Sequence, residues 1–138
     1  VVSTSQTGWR ETVNALSGGA AIKAGVDGVG GPASGDLLSV LGENGLLISF
    51  GLMSGTPMQL SASDMIFKQA VVKGFWLAKI APKLPAEKMK SHISEIVEAV
   101  ANGTVTLTVS EVFGLDDIAK AAKAAGEHGR TGKVLLRA

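Results

Sequence analysis

Residues 20–50 read AAIKAGVDGVGGPASGDLLSVLGENGLLISF, and this stretch decides the fold. Ala20, Ala21, Ile22, Ala24 and Val26 form an apolar run that stops at Asp27, as a buried strand does. Gly28, Gly30 and Gly31 make a turn, and Pro32 stands where a first helical turn tolerates a residue without an N–H. Leu37, Leu38 and Leu41 share one face of the predicted helix, and Gly42 is expected to close it. Asn44-Gly45 marks a second turn. Leu46 to Phe50 is then a nearly continuous apolar run of the kind found in a strand covered on both faces. Two strands separated by a single helix need a crossover connection, so they are predicted to run parallel.

The alternation continues on both sides. Upstream, VVSTSQ reads as an interrupted strand, which suggests a piece of a longer protein. Thr7 is the expected N-cap of a short helix carrying Trp9, Val13 and Leu16 and ended by Gly18-Gly19. Downstream, Ser61 with Asp64 resembles a capping box ahead of Met65, Ile66 and Phe67, and Ala70 to Trp76 returns to strand character. Leu84-Pro85 opens the longest helix, with Met89, Ile93, Ile96, Val97 and Val100 along one side and Asn102-Gly103 at its end. Val105, Leu107 and Val109 alternate with threonines, predicting a strand that need not join the main sheet. A helix through Leu115, Ile118, Ala119 and Ala122 to about Gly126, a turn over residues 128–132 and a strand from Lys133 to Arg137 complete the chain.

The predicted class is α/β: a partial Rossmann-like, doubly wound and mostly parallel sheet. The chain has 138 residues, room for one domain. With 46% hydrophobic and 18% charged residues it can fill a core. A net charge of +1 gives no electrostatic footprint for nucleic acid or anionic lipid. No cysteine is present, which excludes disulfides, thiol nucleophiles and cysteine metal sites in this segment and fits an intracellular, cytoplasmic setting. Every apolar run is far shorter than the roughly 20 residues that span a bilayer, so no membrane helix is expected.

In such sheets ligands lie beyond the carboxyl ends of the strands, which directs attention to the turns after Val26, Ile48 and Phe75. Gly28 to Ala33 satisfies G-x-G-x-x-A. The acidic residue that should end the next strand is missing, because that strand ends in Ser49-Phe50-Gly51, and a structural turn is favoured over a diphosphate loop. Gly126 to Lys133 is no triphosphate loop: five residues separate Gly126 from Gly132, and Val134 follows where Ser or Thr is needed. His92 and His128 have no second histidine at ligand spacing and read as solvated surface. Asp116 and Asp117 suit a helix start. Neither a catalytic residue nor a metal ligand is expected in this segment. The glycines of Phe50-Gly51-Leu52-Met53-Ser54-Gly55 would let backbone approach a flat ligand, and Phe75-Trp76-Leu77 could wall it; periodicity alone assigns these aromatics to core packing.

Taken in order, VDGVGG, GLLISFGLMSG, IFKQAVVKGFWL and TGKVLLRA resemble the carboxyl-terminal half of a zinc-independent medium-chain dehydrogenase/reductase, in the enoyl thioester reductase and quinone oxidoreductase branch. The resemblance covers nearly the whole chain. It implies that residues 1–138 are the later part of an NAD(P)-binding Rossmann domain whose final strands return toward an upstream GroES-like domain. That domain would carry the catalytic tyrosine; the first glycine-rich turn and the residues selecting the 2'-phosphate would also precede Val1. It implies NADPH as cofactor, with NADH as the alternative, and a small-molecule substrate that is an activated alkene or a quinone. Phe50, Gly51, Leu52 and Met53 would run along the nicotinamide, with Phe75, Trp76 and Leu77 close by and Lys133 approaching from the last strand. A homodimer through Ala70 to Trp76 is implied as well, and the segment alone should be inactive. Two alternatives stand beside this reading: the cofactor domain of a zinc-type alcohol dehydrogenase, and a binding or dimerisation module without catalysis.

Overall fold

In the computed structural model, which describes residues 1–127 and 129–138, Ile22–Asp27 (β1), Leu41–Ser49 (β2) and Val71–Gly74 (β3) form a parallel sheet in the order β1-β2-β3. His128 lies outside the described residues. Gly25, Leu47 and Val72 are aligned across the three strands and share a face. Two helices cover that face, Pro32–Val40 (α2) and Ala62–Lys68 (α3). Leu38, Leu41, Leu47 and Ala70 form the buried centre, with Ile22, Leu37, Leu60, Met65 and Val72 packed around it. Gly25 is required by this packing, since a Cβ there would lie 2.9 Å from Leu37 Cγ.

The α/β class is as expected, and several local details differ. α2 ends at Val40, and Leu41 turns into extended backbone, is buried and pairs with Ile22. The Asn44-Gly45 turn lies inside β2 as a bulge: pairing jumps from Ile22↔Leu41 to Ala24↔Leu46, and Asn44 has φ 57°. Burial is also one-sided in this part of the chain. The row behind Leu47 contains Val26, Ile48 and Lys73, and Val26 is 65% exposed, because α2 and α3 pack on the same face of the sheet. β3 stops at Gly74, short of Trp76, where the chain turns into the helix Leu77–Ile80 (α4).

The first helix, Trp9–Leu16 (α1), is capped by Gly8 in the left-handed region (φ 74°) and not by the Thr7 side chain. Arg10 ties it to α2 through Asp36 Oδ1 at 3.1 Å and Ser39 Oγ at 2.9 Å. Residues 1–8 are turns and loop, not an interrupted strand; no described strand pairs with them. The capping box of α3 is half made: Ser61 Oγ accepts from the Asp64 amide at 3.3 Å, but the Asp64 carboxylate pairs forward with Lys68 at 2.9 Å. Lys68 also donates to Ser39 O at 2.8 Å, satisfying a carbonyl at the end of α2.

Length suggested one domain, whereas the chain divides into two compact units, Val1–Ile80 and Ala81–Ala138, each with its own sheet. The second unit contains Ala86–Ala101 (α5), Val109–Gly114 (β4), Ile118–Gly126 (α6) and Lys133–Arg137 (β5), with short 3-10 turns at Ala81–Lys83 and Leu115–Asp117. β4 and β5 pair in parallel as a sheet of their own. The strand expected over residues 104–109 instead starts at Val109, because β5 offers partners only from Val109 to Gly114. His92 lies exposed on α5, as its surroundings in sequence suggested.

Leu47 is completely buried, so Leu47→Ala is expected to cost about 2–5 kcal/mol in urea unfolding. Val26→Ala on the open row should stay within about 0.5–1 kcal/mol.

Candidate functional site

In-register parallel pairing brings the three strand ends to one edge, with Asp27 beside Ser49 and Ser49 beside Gly74. The ladder continues one step further, as Phe50 N donates to Asp27 O at 2.9 Å and Phe75 N to Ser49 O at 2.8 Å. The segment after β2 then lies along the turn after β1. Met53 N donates to Gly28 O at 3.2 Å, Ser54 N to Val29 O at 2.8 Å and Gln59 N to Gly31 O at 3.0 Å. The approach leaves no room for side chains: a Cβ on Gly51 would sit 2.6 Å from Gly28 O, and one on Gly28 would sit 2.8 Å from the Phe50 ring.

Asp27 holds this turn together. It is 4% exposed. Its Oδ1 accepts from the amides of Val29 at 2.8 Å and Gly30 at 3.0 Å, and its Oδ2 accepts from Ser34 Oγ at 2.6 Å. Two amides of the G-x-G-x-x-A turn are therefore occupied by a carboxylate of the chain itself, which supports the structural reading of the motif. Burial pushes the Asp27 carboxyl upward, but the Ser34 hydroxyl and the Gly30 and Val29 amides favour the charged form more strongly, and the net result lies below the usual carboxylate value. Sequence reasoning passed over Asp27 and Ser34. The available signal was an acid ending a strand just before a glycine turn, with a hydroxyl in the first turn of the next helix.

Between the segments after β2 and β3 lies a cleft of ≈ 520 Å³, lined by Ser49, Phe50, Gly51, Leu52, Gly74, Phe75, Trp76, Lys79 and Ile80. A second depression of ≈ 530 Å³ touches Phe50, Phe75, Trp76, Leu77 and Ala78. Five of the expected residues, Phe50, Gly51, Leu52, Phe75 and Trp76, thus share one cleft, and Leu77 borders the second. Met53 lines neither; its side chain is 86% exposed, and its backbone is engaged by Gly28. Lys133 belongs to the second unit, where it opens β5 and donates its amide to Thr108 O at 2.8 Å. Ser49, Gly74, Lys79 and Ile80 were not anticipated. Lys79 is the one charged side chain among the residues lining the first cleft.

A parallel α/β sheet with an apolar cleft at its carboxyl edge is a Rossmann-like arrangement. The chain belongs to the zinc-binding dehydrogenase family, whose profile matches residues 1–136, and within it to the branch of the enoyl thioester reductases and quinone oxidoreductases. It is 34% identical over 73 residues to a mitochondrial enoyl-[acyl-carrier-protein] reductase of Yarrowia lipolytica, covering 53% of this chain and 19% of that protein. It is 30% identical over 110 residues to an NADPH quinone oxidoreductase of Kluyveromyces marxianus, covering 76% and 29%. A Bacillus thuringiensis structure described as an NADPH:quinone reductase superposes with a TM-score of 0.77 at 26% identity, covering 98% of this chain and 41% of that one. The chain thus spans less than a third of these two curated relatives. The zinc in the family's name finds no fit here: among the described residues no three His, Cys, Asp or Glu side chains are grouped to hold a metal ion. No helix among them is long and apolar enough to cross a membrane.

Because the folded Asp27 carboxyl titrates below its unfolded value, its stabilisation is complete above about pH 4 and is lost as the pH falls through the folded value. Asp27→Asn is expected to cost about 1–3 kcal/mol at neutral pH and to flatten this acid limb. Denaturant unfolding of both proteins from pH 7 to pH 3 checks it.

Proposed function

We propose that this chain is the later part of the cofactor domain of an NADPH-dependent oxidoreductase that reduces an activated alkene, such as an enoyl thioester, or a quinone. The observation that carries this reading is the cleft where the segments after β2 and β3 meet, lined by Phe50, Gly51, Leu52, Phe75 and Trp76. Apolar walls and a backbone free of side chains suit a flat ring at the carboxyl edge of a parallel sheet. The residues present fit the nicotinamide end of the cofactor, which when bound supplies the hydride. Phe50, Phe75 and Trp76 would orient the ring and keep water from its reacting face, while Gly51 admits it close to the backbone. Leu77 and Met53 are included as further contacts; Lys133 enters only as the residue that the family resemblance implies. NADPH is chosen over NADH on the strength of the NADPH quinone oxidoreductase relative.

On the family resemblance the catalytic groups are assigned to an upstream GroES-like domain, and the segment alone is expected to be inactive. β3 is an edge strand of its sheet, which supports a homodimer through residues 70–76. A cytoplasmic location belongs to the same proposal, with the mitochondrion of the Yarrowia relative as its alternative. The zinc-type alcohol dehydrogenase reading is favoured by the family's name and by a Sinorhizobium meliloti structure described as an alcohol dehydrogenase, and it would need metal ligands upstream of Val1.

NADPH titration and turnover of the full-length protein with enoyl thioesters and quinones test the proposal. Absence of both binding and turnover would favour a non-catalytic module. Trp76→Ala is expected to weaken NADPH binding about tenfold and Lys133→Ala by a smaller factor, measured by calorimetry. Unchanged affinity in both variants would remove these residues from the site.

A further inference from the structure

We propose that Asp27 is the positioning residue of the nicotinamide-facing segment: its carboxylate fixes the 28–31 turn, and that turn fixes the Phe50–Ser54 backbone. The inference rests on the cofactor reading above. Asp27 lines neither cavity, so it would act through the loops and not by contact with a ligand.

The linkage is continuous in hydrogen bonds. Ser34 Oγ at 2.6 Å ties Oδ2 to α2, and Oδ1 gathers the Val29 and Gly30 amides at 2.8 and 3.0 Å. The turn needs this fastening because Gly30 and Gly31 have φ 77° and 59°, where glycine backbone has wide freedom. Fastened, the turn presents the carbonyls of Gly28, Val29 and Gly31 to the amides of Met53, Ser54 and Gln59. Asp27 O itself receives Phe50 N. With a Cβ at Gly51 only 2.6 Å from Gly28 O, the turn and the Phe50 segment have little slack, and a displaced turn must displace the segment. The disturbance should therefore fall on the nicotinamide end of a bound cofactor and spare its adenine end, which the same reading assigns to residues upstream of Val1.

The test uses the full-length protein as wild type, Asp27→Asn and Ser34→Ala, titrated with NADPH and with 2',5'-ADP, which lacks the nicotinamide. Asp27→Asn is expected to weaken NADPH about tenfold and Ser34→Ala about threefold, with 2',5'-ADP within about twofold of wild type. Equal losses for both ligands would indicate a general structural role and overturn the inference, as would unchanged NADPH affinity in both variants. If Asp27→Asn fails to fold, Ser34→Ala decides by the same criteria. A wild type that binds no NADPH overturns the cofactor reading and this inference together, whereas normal binding with indifferent variants overturns the inference alone.

Discussion

Because β1, β2 and β3 run parallel in register, Asp27, Ser49 and Gly74 leave the sheet side by side, and everything at the site follows from that adjacency. Parallel pairing sends each strand into a loop at the same edge, where backbone donors and acceptors no longer have a ladder to satisfy them. The chain meets this need in two ways. Phe50 and Phe75 each extend the ladder by one bond, and the Asp27 carboxylate takes up amides that the glycine turn would otherwise leave to solvent. The result is a cleft lined by Phe50, Phe75 and Trp76 together with Gly51 and Gly74.

Much of this was readable beforehand. The apolar runs around Ile22 and Leu47, broken by glycine and Pro32, implied strand, helix and parallel strand, but the cover on both faces that such continuity suggested is one-sided here, with Val26 left open. Phe50 and Phe75 could be placed near each other once the strands were parallel, since each follows its strand by one residue. What stayed hidden depended on tertiary competition. Leu41 continues the helical face in sequence, yet it gains more in the core beside Leu47 than on the last turn of α2. The Thr104 to Val109 alternation has strand character, but β5 reaches only from Val109 onward, and unpaired backbone does not make a strand. Asp27 looked like an ordinary strand end because the Ser34 hydroxyl that marks it lies seven residues on, across the glycine turn.

The family relationship and the geometry divide the explanatory work. Matches to enoyl reductases and quinone oxidoreductases identify the lineage, while the cleft supplies the physical reason for proposing that these residues contact a flat, partly apolar ring. The same geometry explains the glycines: Gly28 and Gly51 face each other where two backbones nearly touch. A fold of this kind supports many chemistries, so the sheet by itself assigns no reaction.

Hydrogen–deuterium exchange of the full-length protein with and without NADPH is the most direct test of the cleft as the nicotinamide site. The account predicts slowed exchange on binding in both residues 50–54 and residues 74–77, the two segments that meet at the strand ends. Saturated binding with protection elsewhere and none in these two segments would contradict it.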